Sequence, residues 1–191
     1  MKKLARRSNR LANYDYSKDG AYFITICTKN RVQSLARIEN GKAVLPAIGK
    51  IINDLWPATF ESIDLFEPDQ YVIMPNHVHG IIHIRRGLIN QTPTTENPEC
   101  GWILMQNPTQ NLGKVVRYFK AKATRIIRRN GLENFDWQRN YHDRIIRNEC
   151  ELNSKQEYIL YNPLKWGLDR ENPDSVNFGM DHELYFKEML G

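Results

Sequence analysis

The sequence predicts an α+β domain on three observations: an aromatic and β-branched run near its start, two short apolar strands joined by Pro75-Asn76, and stretches of helical spacing. Ala21-Tyr22-Phe23-Ile24-Thr25-Ile26-Cys27-Thr28 reads as a buried, central strand. Val32 to Leu45 predicts a weak hairpin around Asn40-Gly41. Ile48, Ile51, Ile52, Leu55 and Trp56 then recur at helical spacing, and Pro57 is expected to end that helix. Tyr71 to Ile84 supplies the paired strands. Leu112, Val115, Val116, Phe119, Ala123, Ile126 and Ile127 form one apolar stripe of a second helix that Gly131 closes. A third helix is expected from about Glu149 to Tyr161, with Ser154 and Glu157 as a candidate internal capping signal and Pro163 beyond its end. The polar, Thr/Asn/Pro-rich stretch 87–110 is too long for a tight turn and reads as a flexible surface insertion.

With 191 residues, 41% of them hydrophobic, the chain suits one domain with an adequate core. The formal net charge of +5 is modest, but it is clustered. No acidic residue occurs between Gly101 and Leu132, whereas Lys114, Arg117, Lys120, Lys122, Arg125, Arg128 and Arg129 all fall there. A solvated helix face would carry such residues too, yet the lack of compensating acids favours a surface that meets a phosphate backbone. Cys27, Cys100 and Cys150 have neither finger spacing nor an even count, which fits reduced thiols in the cytoplasm. The basic start Met1-Lys2-Lys3-Leu4-Ala5-Arg6-Arg7 lacks the apolar stretch of a signal peptide, and no segment is apolar for long enough to span a bilayer. The expectation is a cytoplasmic protein without a membrane partner.

The chemistry concentrates in His77-Val78-His79. Strand side chains alternate and rise about 3.3 Å per residue, so the two imidazoles face one way, roughly 6 to 7 Å apart at their roots, and can converge on one divalent metal. An edge strand with two solvated histidines has the same pattern. His83 faces the same side but stands roughly 13 Å along the strand from His79, too far to share the ion. Tyr158 and Asn162 stand four apart, which places a phenol and an amide oxygen on neighbouring turns of a helix. The amide then completes a metal site while the phenol attacks a group bound there, unless Pro163 splays Asn162 away or Tyr158 is simply a packed aromatic. Tyr161 is a competing nucleophile. Between Phe135 and Asn148, Trp137, Arg139, Tyr141 and Arg147 mix aromatic and cationic side chains, a mixture suited to unpaired bases although both aromatics also fit a core.

Tyr22 to Thr28, Met74-Pro75-Asn76-His77-Val78-His79, Trp137-Gln138 with Ile146-Arg147-Asn148, and Tyr158-Ile159-Leu160-Tyr161-Asn162-Pro163 occur in the order that resembles the REP-associated tyrosine transposases, of the single-tyrosine HUH nuclease superfamily. The resemblance runs from Arg10 to about Gly167, and 168–191 is left as a variable tail. It implies a ferredoxin-like antiparallel sheet, with helices on one face, that carries the histidines on a central strand. It further implies that His77, His79 and Asn162 hold Mg²⁺ or Mn²⁺ and that Tyr158 is the nucleophile. The implied partner is single-stranded or hairpin DNA, cut and rejoined through a 5′-phosphotyrosine. Lys114, Arg117, Lys120, Arg125, Trp137, Arg139 and Arg147 are the candidate DNA contacts, and a monomer is the default state. Two other classes stay open: a hairpin-binding protein without catalysis, and a metal-dependent phosphoesterase that uses water.

Overall fold

Strand β1, Gly20–Cys27, is buried on both sides along its last six residues, and this dictates the architecture around it. The structure is a computed structural model and describes residues 19–85, 111–181 and 184–185. The expected insertion at 87–110 and Cys100 lie outside the described residues, as does most of the chain after residue 181. β1 pairs antiparallel with β5, His77–Ile84, on one side and with β6, His142–Ile146, on the other. β4, Phe66–Ile73, closes the sheet against β5, giving the order β4-β5-β1-β6. The expected α+β class and antiparallel sheet are both present. A small separate hairpin, β2 (Arg37–Glu39) and β3 (Lys42–Val44), turns at Asn40 and Gly41, both with positive φ. That backbone is what a two-residue hairpin turn demands and what an Asn-Gly pair adopts cheaply.

The three helices are α1, Ala47–Phe60; α2, Leu112–Arg129; and α3, Glu149–Tyr161. Tyr22, Ile24 and Ile26 of β1, with Val78 and Ile82 of β5, pack against Trp56 and Phe60 of α1 and Val115, Val116 and Phe119 of α2. The opposite face, with Phe23, Ile81 and Ile146, packs against Tyr158 and Ile159 of α3. The helices are thus divided between the faces instead of sharing one, because central strands that are apolar on both sides need cover on both. At about 25 cal/mol per Å² of apolar area removed from water, leaving the Phe23 side open would forfeit several kcal/mol.

Two boundaries differ from the sequence reading. Pro57 does not end α1, which continues one turn to Phe60. Proline removes the donor to the Asn53 carbonyl, but the Tyr71 hydroxyl lies 3.5 Å from that oxygen and 3.2 Å from the Asn53 side-chain oxygen, and the buried Phe60 anchors the last turn. The cap of α3 is Asn148, whose side chain accepts the Glu151 N–H at 2.8 Å, so Ser154 and Glu157 sit in mid-helix. His83 is engaged elsewhere, as its spacing predicts: its Nε2 lies 3.3 Å from Asp69, which also accepts from Gln156 of α3. Among the described residues no helix is long and apolar enough to cross a membrane.

Gly80 sets how closely α1 approaches the histidine strand. A Cβ there would lie 2.2 Å from Cζ2 of the fully buried Trp56. Gly80→Ala should therefore cost about 2 kcal/mol in urea unfolding, within the range for overpacked cores. Combined with Trp56→Phe it should cost less than the sum of the two single changes, because both act on the same contact.

Candidate active site

The register of β1 and β5 places Thr25 opposite His79 and Cys27 opposite His77, with all four side chains on the face covered by α3. The His77 and His79 rings lie 4.3 Å apart between centroids, and both residues are buried. Each has one nitrogen fixed from behind. Asn76 donates its amide hydrogens to the carbonyls of Glu171 (2.7 Å) and Arg31 (3.4 Å), so its oxygen, 2.8 Å from His77 Nδ1, must accept. The proton of His77 is thereby on Nδ1, and Nε2 keeps its lone pair. That Nε2 is buried with no hydrogen-bond partner among the described residues. Thr25 Oγ1 is 2.8 Å from His79 Nδ1, which leaves His79 Nε2 toward the same space. Burial, reinforced by Arg31, holds the His77 pKa down to about 3, and burial, reinforced by His77, pushes that of His79 well below its ordinary value. Both imidazoles are neutral at pH 7, the state in which they ligate metals.

Helix α3 brings Tyr158 and Asn162 to this pair. The Tyr158 hydroxyl is 3.4 Å from His79 Nε2, and its ring meets both His79 and Phe23 edge-on. Asn162 stays helical at φ −57° and ψ −42° despite the following proline, so it keeps to the Tyr158 face. Its amide is buried, with an oxygen that lacks a hydrogen-bond partner among the described residues. Burial first, then Asp169, raises the Tyr158 pKa well above the ordinary phenol value, so the hydroxyl keeps its proton. Tyr161 is exposed and is not part of this cluster. Lys155, one turn before Tyr158 and also buried, lies 5.2 Å over the Phe23 ring; burial lowers its pKa to about 7.

The sequence reading missed Asp169. Its carboxylate is fully buried and lies 3.3 Å from the Tyr158 hydroxyl, 3.0 Å from the Asn162 amide nitrogen and 4.0 Å from His77 Nε2. Ligand atoms of His77, His79 and Asp169 all lie within 4.8 Å of one another. The segment Leu168-Asp169-Arg170-Glu171-Asn172-Pro173 has the composition of an exposed turn, and nothing local marks it as buried. The one signal available was Asn76 directly before His77, a buried amide that needs acceptors from elsewhere. Two neutral nitrogens, a carboxylate and an orphaned amide oxygen suit a divalent metal that takes nitrogen and oxygen donors.

Of the expected DNA contacts, Arg117, Lys120, Arg125, Trp137 and Arg139 line a groove of about 1110 Å³ between α2 and residues 136–141. Four of the expected contacts sit differently from their neighbours in the groove. Trp137 is buried in ring contact with Phe119 and Phe135, so it offers little ring surface to a base. Lys120 donates to the Gln138 and Asn140 carbonyls at 2.6 and 2.7 Å and braces the groove wall. Arg147 follows the end of β6 that pairs with Ala21, roughly 20 Å along the sheet from the Cys27 end where the groove opens, and Lys114 does not line the groove. The groove and the histidine cluster lie on opposite faces but at one end of the sheet. Gln138 N–H bonds the Cys27 carbonyl, and Arg31 reaches both Gln138 (2.6 Å) and Glu171.

No family model matches the chain. An "Uncharacterized protein" of Haemophilus influenzae is 41% identical over 176 residues, covering 86% of this chain and 92% of that one. A second Haemophilus influenzae protein, named "Putative REP-associated tyrosine transposase", is 28% identical over 163 residues, covering 82% and 78%. Among solved structures, a REP-associated tyrosine transposase bound to a REP hairpin superimposes with a TM-score of 0.52 at 20% identity, over 84% of this chain and 76% of that one, and shows the shared fold. The motif order of the sequence and the shared fold agree in making this chain similar to the REP-associated tyrosine transposases.

Proposed function

We propose that the chain is a metal-dependent single-stranded DNA endonuclease and strand transferase acting on hairpin DNA, with Tyr158 as nucleophile. The observation that carries this reading is the Tyr158 hydroxyl, 3.4 Å from His79 Nε2, in one buried cluster with the orphaned His77 Nε2 and Asn162 oxygen. His77 and His79, with an oxygen donor that the sequence assigns to Asn162, would hold Mg²⁺ or Mn²⁺. When bound, the ion draws charge from the phosphodiester's non-bridging oxygens and favours ionisation of a nearby phenol. The phenolic oxygen forms a bond to phosphorus, the bond from phosphorus to the 3′ oxygen breaks, and the phenol proton departs as the 3′ oxygen takes one up. The product is a 5′-phosphotyrosine and a free 3′-hydroxyl, and because the new bond is again a phosphodiester, strand rejoining runs through the same site. The Tyr185 ring stands in edge contact with Tyr158 at 6.4 Å.

The partner in this reading is the one that the hairpin-bound relative holds, and the groove along α2 supports it with Arg117, Arg125 and Arg139 exposed. Phosphates of the paired stem lie in the groove, and the unpaired flank crosses the sheet end at Arg31 to reach Tyr158.

Tyr158→Phe removes one oxygen and keeps the ring contacts, so it should abolish both cleavage of a flanked hairpin and the denaturation-resistant protein–DNA adduct on gels. Tyr161→Phe should retain both. Cleavage by wild type with no adduct under trapping conditions would point to water as nucleophile and to a phosphoesterase.

His77→Ala should lose cleavage while hairpin affinity in gel shifts stays within about threefold, since the phosphate contacts lie across the sheet. Full Mg²⁺-dependent cleavage by this variant would remove the metal assignment.

Replacing Arg117, Arg125 and Arg139 by Gln together should flatten the slope of log affinity against log salt by roughly 2 to 3, about 0.9 per lost phosphate contact. An unchanged slope would put the DNA on another face.

A further inference from the structure

Resting on the metal reading above, we propose that Asp169 is the charged oxygen ligand of this site and that Glu171, held by Arg31 and Arg170, positions it.

The first argument is charge. Asp169 is completely buried, yet among the described residues no lysine or arginine lies within ion-pair distance of it, and at that distance it meets His77, at 4.0 Å. Two residues on, Glu171 is equally buried and takes both available guanidiniums, Arg31 and Arg170 (3.0 Å). Tyr158, Asn162 and the Glu171 N–H donate to Asp169, but leaving one carboxylate of such a pair without a counter-charge is still costly in a core. What Asp169 does face is the unoccupied lone pair of His77 Nε2, with the ligand atoms of His77, His79 and Asp169 all within 4.8 Å of one another. Two neutral imidazoles and one carboxylate answer both needs with a divalent cation.

The second argument separates Asp169 from Asn162. The Asn162 amide nitrogen donates to Asp169 Oδ2 at 3.0 Å, and the reverse orientation would set amide oxygen against carboxylate. Asn162 therefore orients the carboxylate, and its own oxygen is left as a neutral, weaker metal donor. The third argument is the mounting. The Glu171 N–H donates to Asp169 Oδ1 at 2.6 Å, while the Glu171 carbonyl accepts from the Asn76 amide that fixes the His77 tautomer. One residue thus aims two ligands, and Arg31 ties it to Gln138 in the wall of the basic groove. Outer partners of this kind typically change metal affinity 10- to 100-fold when altered.

The test is Mn²⁺ titration of the full chain by calorimetry, with thermal melts in EDTA and in Mn²⁺. Asp169→Asn should weaken Mn²⁺ binding more than about 100-fold, and Glu171→Gln about 10-fold. In EDTA, Asp169→Asn should melt at or above the wild-type temperature, since a buried negative charge without a counter-cation is gone; added Mn²⁺ should raise the melting point of wild type and leave that of Asp169→Asn unmoved. His77→Ala is the control for the metal site itself. Loss of binding in His77→Ala with wild-type affinity in Asp169→Asn would overturn the Asp169 assignment and keep the metal reading. Wild-type affinity in both would overturn the metal reading. An Asp169→Asn protein that melts far below wild type in EDTA, or that cleaves DNA faster than wild type, would mark the carboxylate as a structural acceptor or an obstruction and also overturn the assignment.

Discussion

The pairing of β1 with β5 is the constraint on which the rest depends. Because strand side chains alternate, its register decides which face holds the histidines: Val78, Ile82 and Trp56-backed Gly80 go to the α1 and α2 side, and His77 and His79 to the α3 side. A slip of one residue would bury two imidazoles in the larger apolar core and present Val78 to Tyr158. The register is secured by the full eight-residue ladder and by apolar residues on both faces of β1, so the site inherits the stability of the sheet centre. Thr25 supplies a buried contact to His79 from the neighbouring strand, which only this register allows.

Burial then sets the chemistry. The same desolvation that keeps both imidazoles neutral keeps the Tyr158 phenol protonated, so in the proposed function a bound metal would be needed to ionise it. For Tyr158 the burial effect is the largest and the nearby Asp169 adds to it. A cation at the three converging ligands would reverse the second of these contributions directly.

Much of this was legible in the sequence because it rests on period and spacing. The strand 21–28, the Asn-Gly hairpin, the stripe from Leu112 to Ile127 and the pairs His77/His79 and Tyr158/Asn162 all follow from residue intervals within one element. What was not legible depends on contacts between distant segments. The single-sided placement of helices failed because the apolar character of Phe23 and Ile81 does not reveal which helix covers them. Trp137 was offered to DNA because an aromatic among arginines looks the same in a groove and in a core. Pro57 was read as a stop because its relief, the Tyr71 hydroxyl, is 18 residues away from Asn53. Asp169 and Glu171 have the composition of a surface turn, and only Asn76 and Arg31, on other strands and turns, make them interior.

In the proposed function, one end of a small sheet serves two tasks. The groove wall at Gln138, Arg31 and the Glu171 mount of Asp169 form a continuous chain of contacts from the cationic face to the histidine cluster. The most direct measurement of the central claim is mass-spectrometric mapping of the covalent adduct formed by the wild-type chain with a flanked hairpin in Mn²⁺. The account predicts a nucleotide phosphate on the peptide at Tyr158; an adduct on Tyr161 or another residue would contradict it.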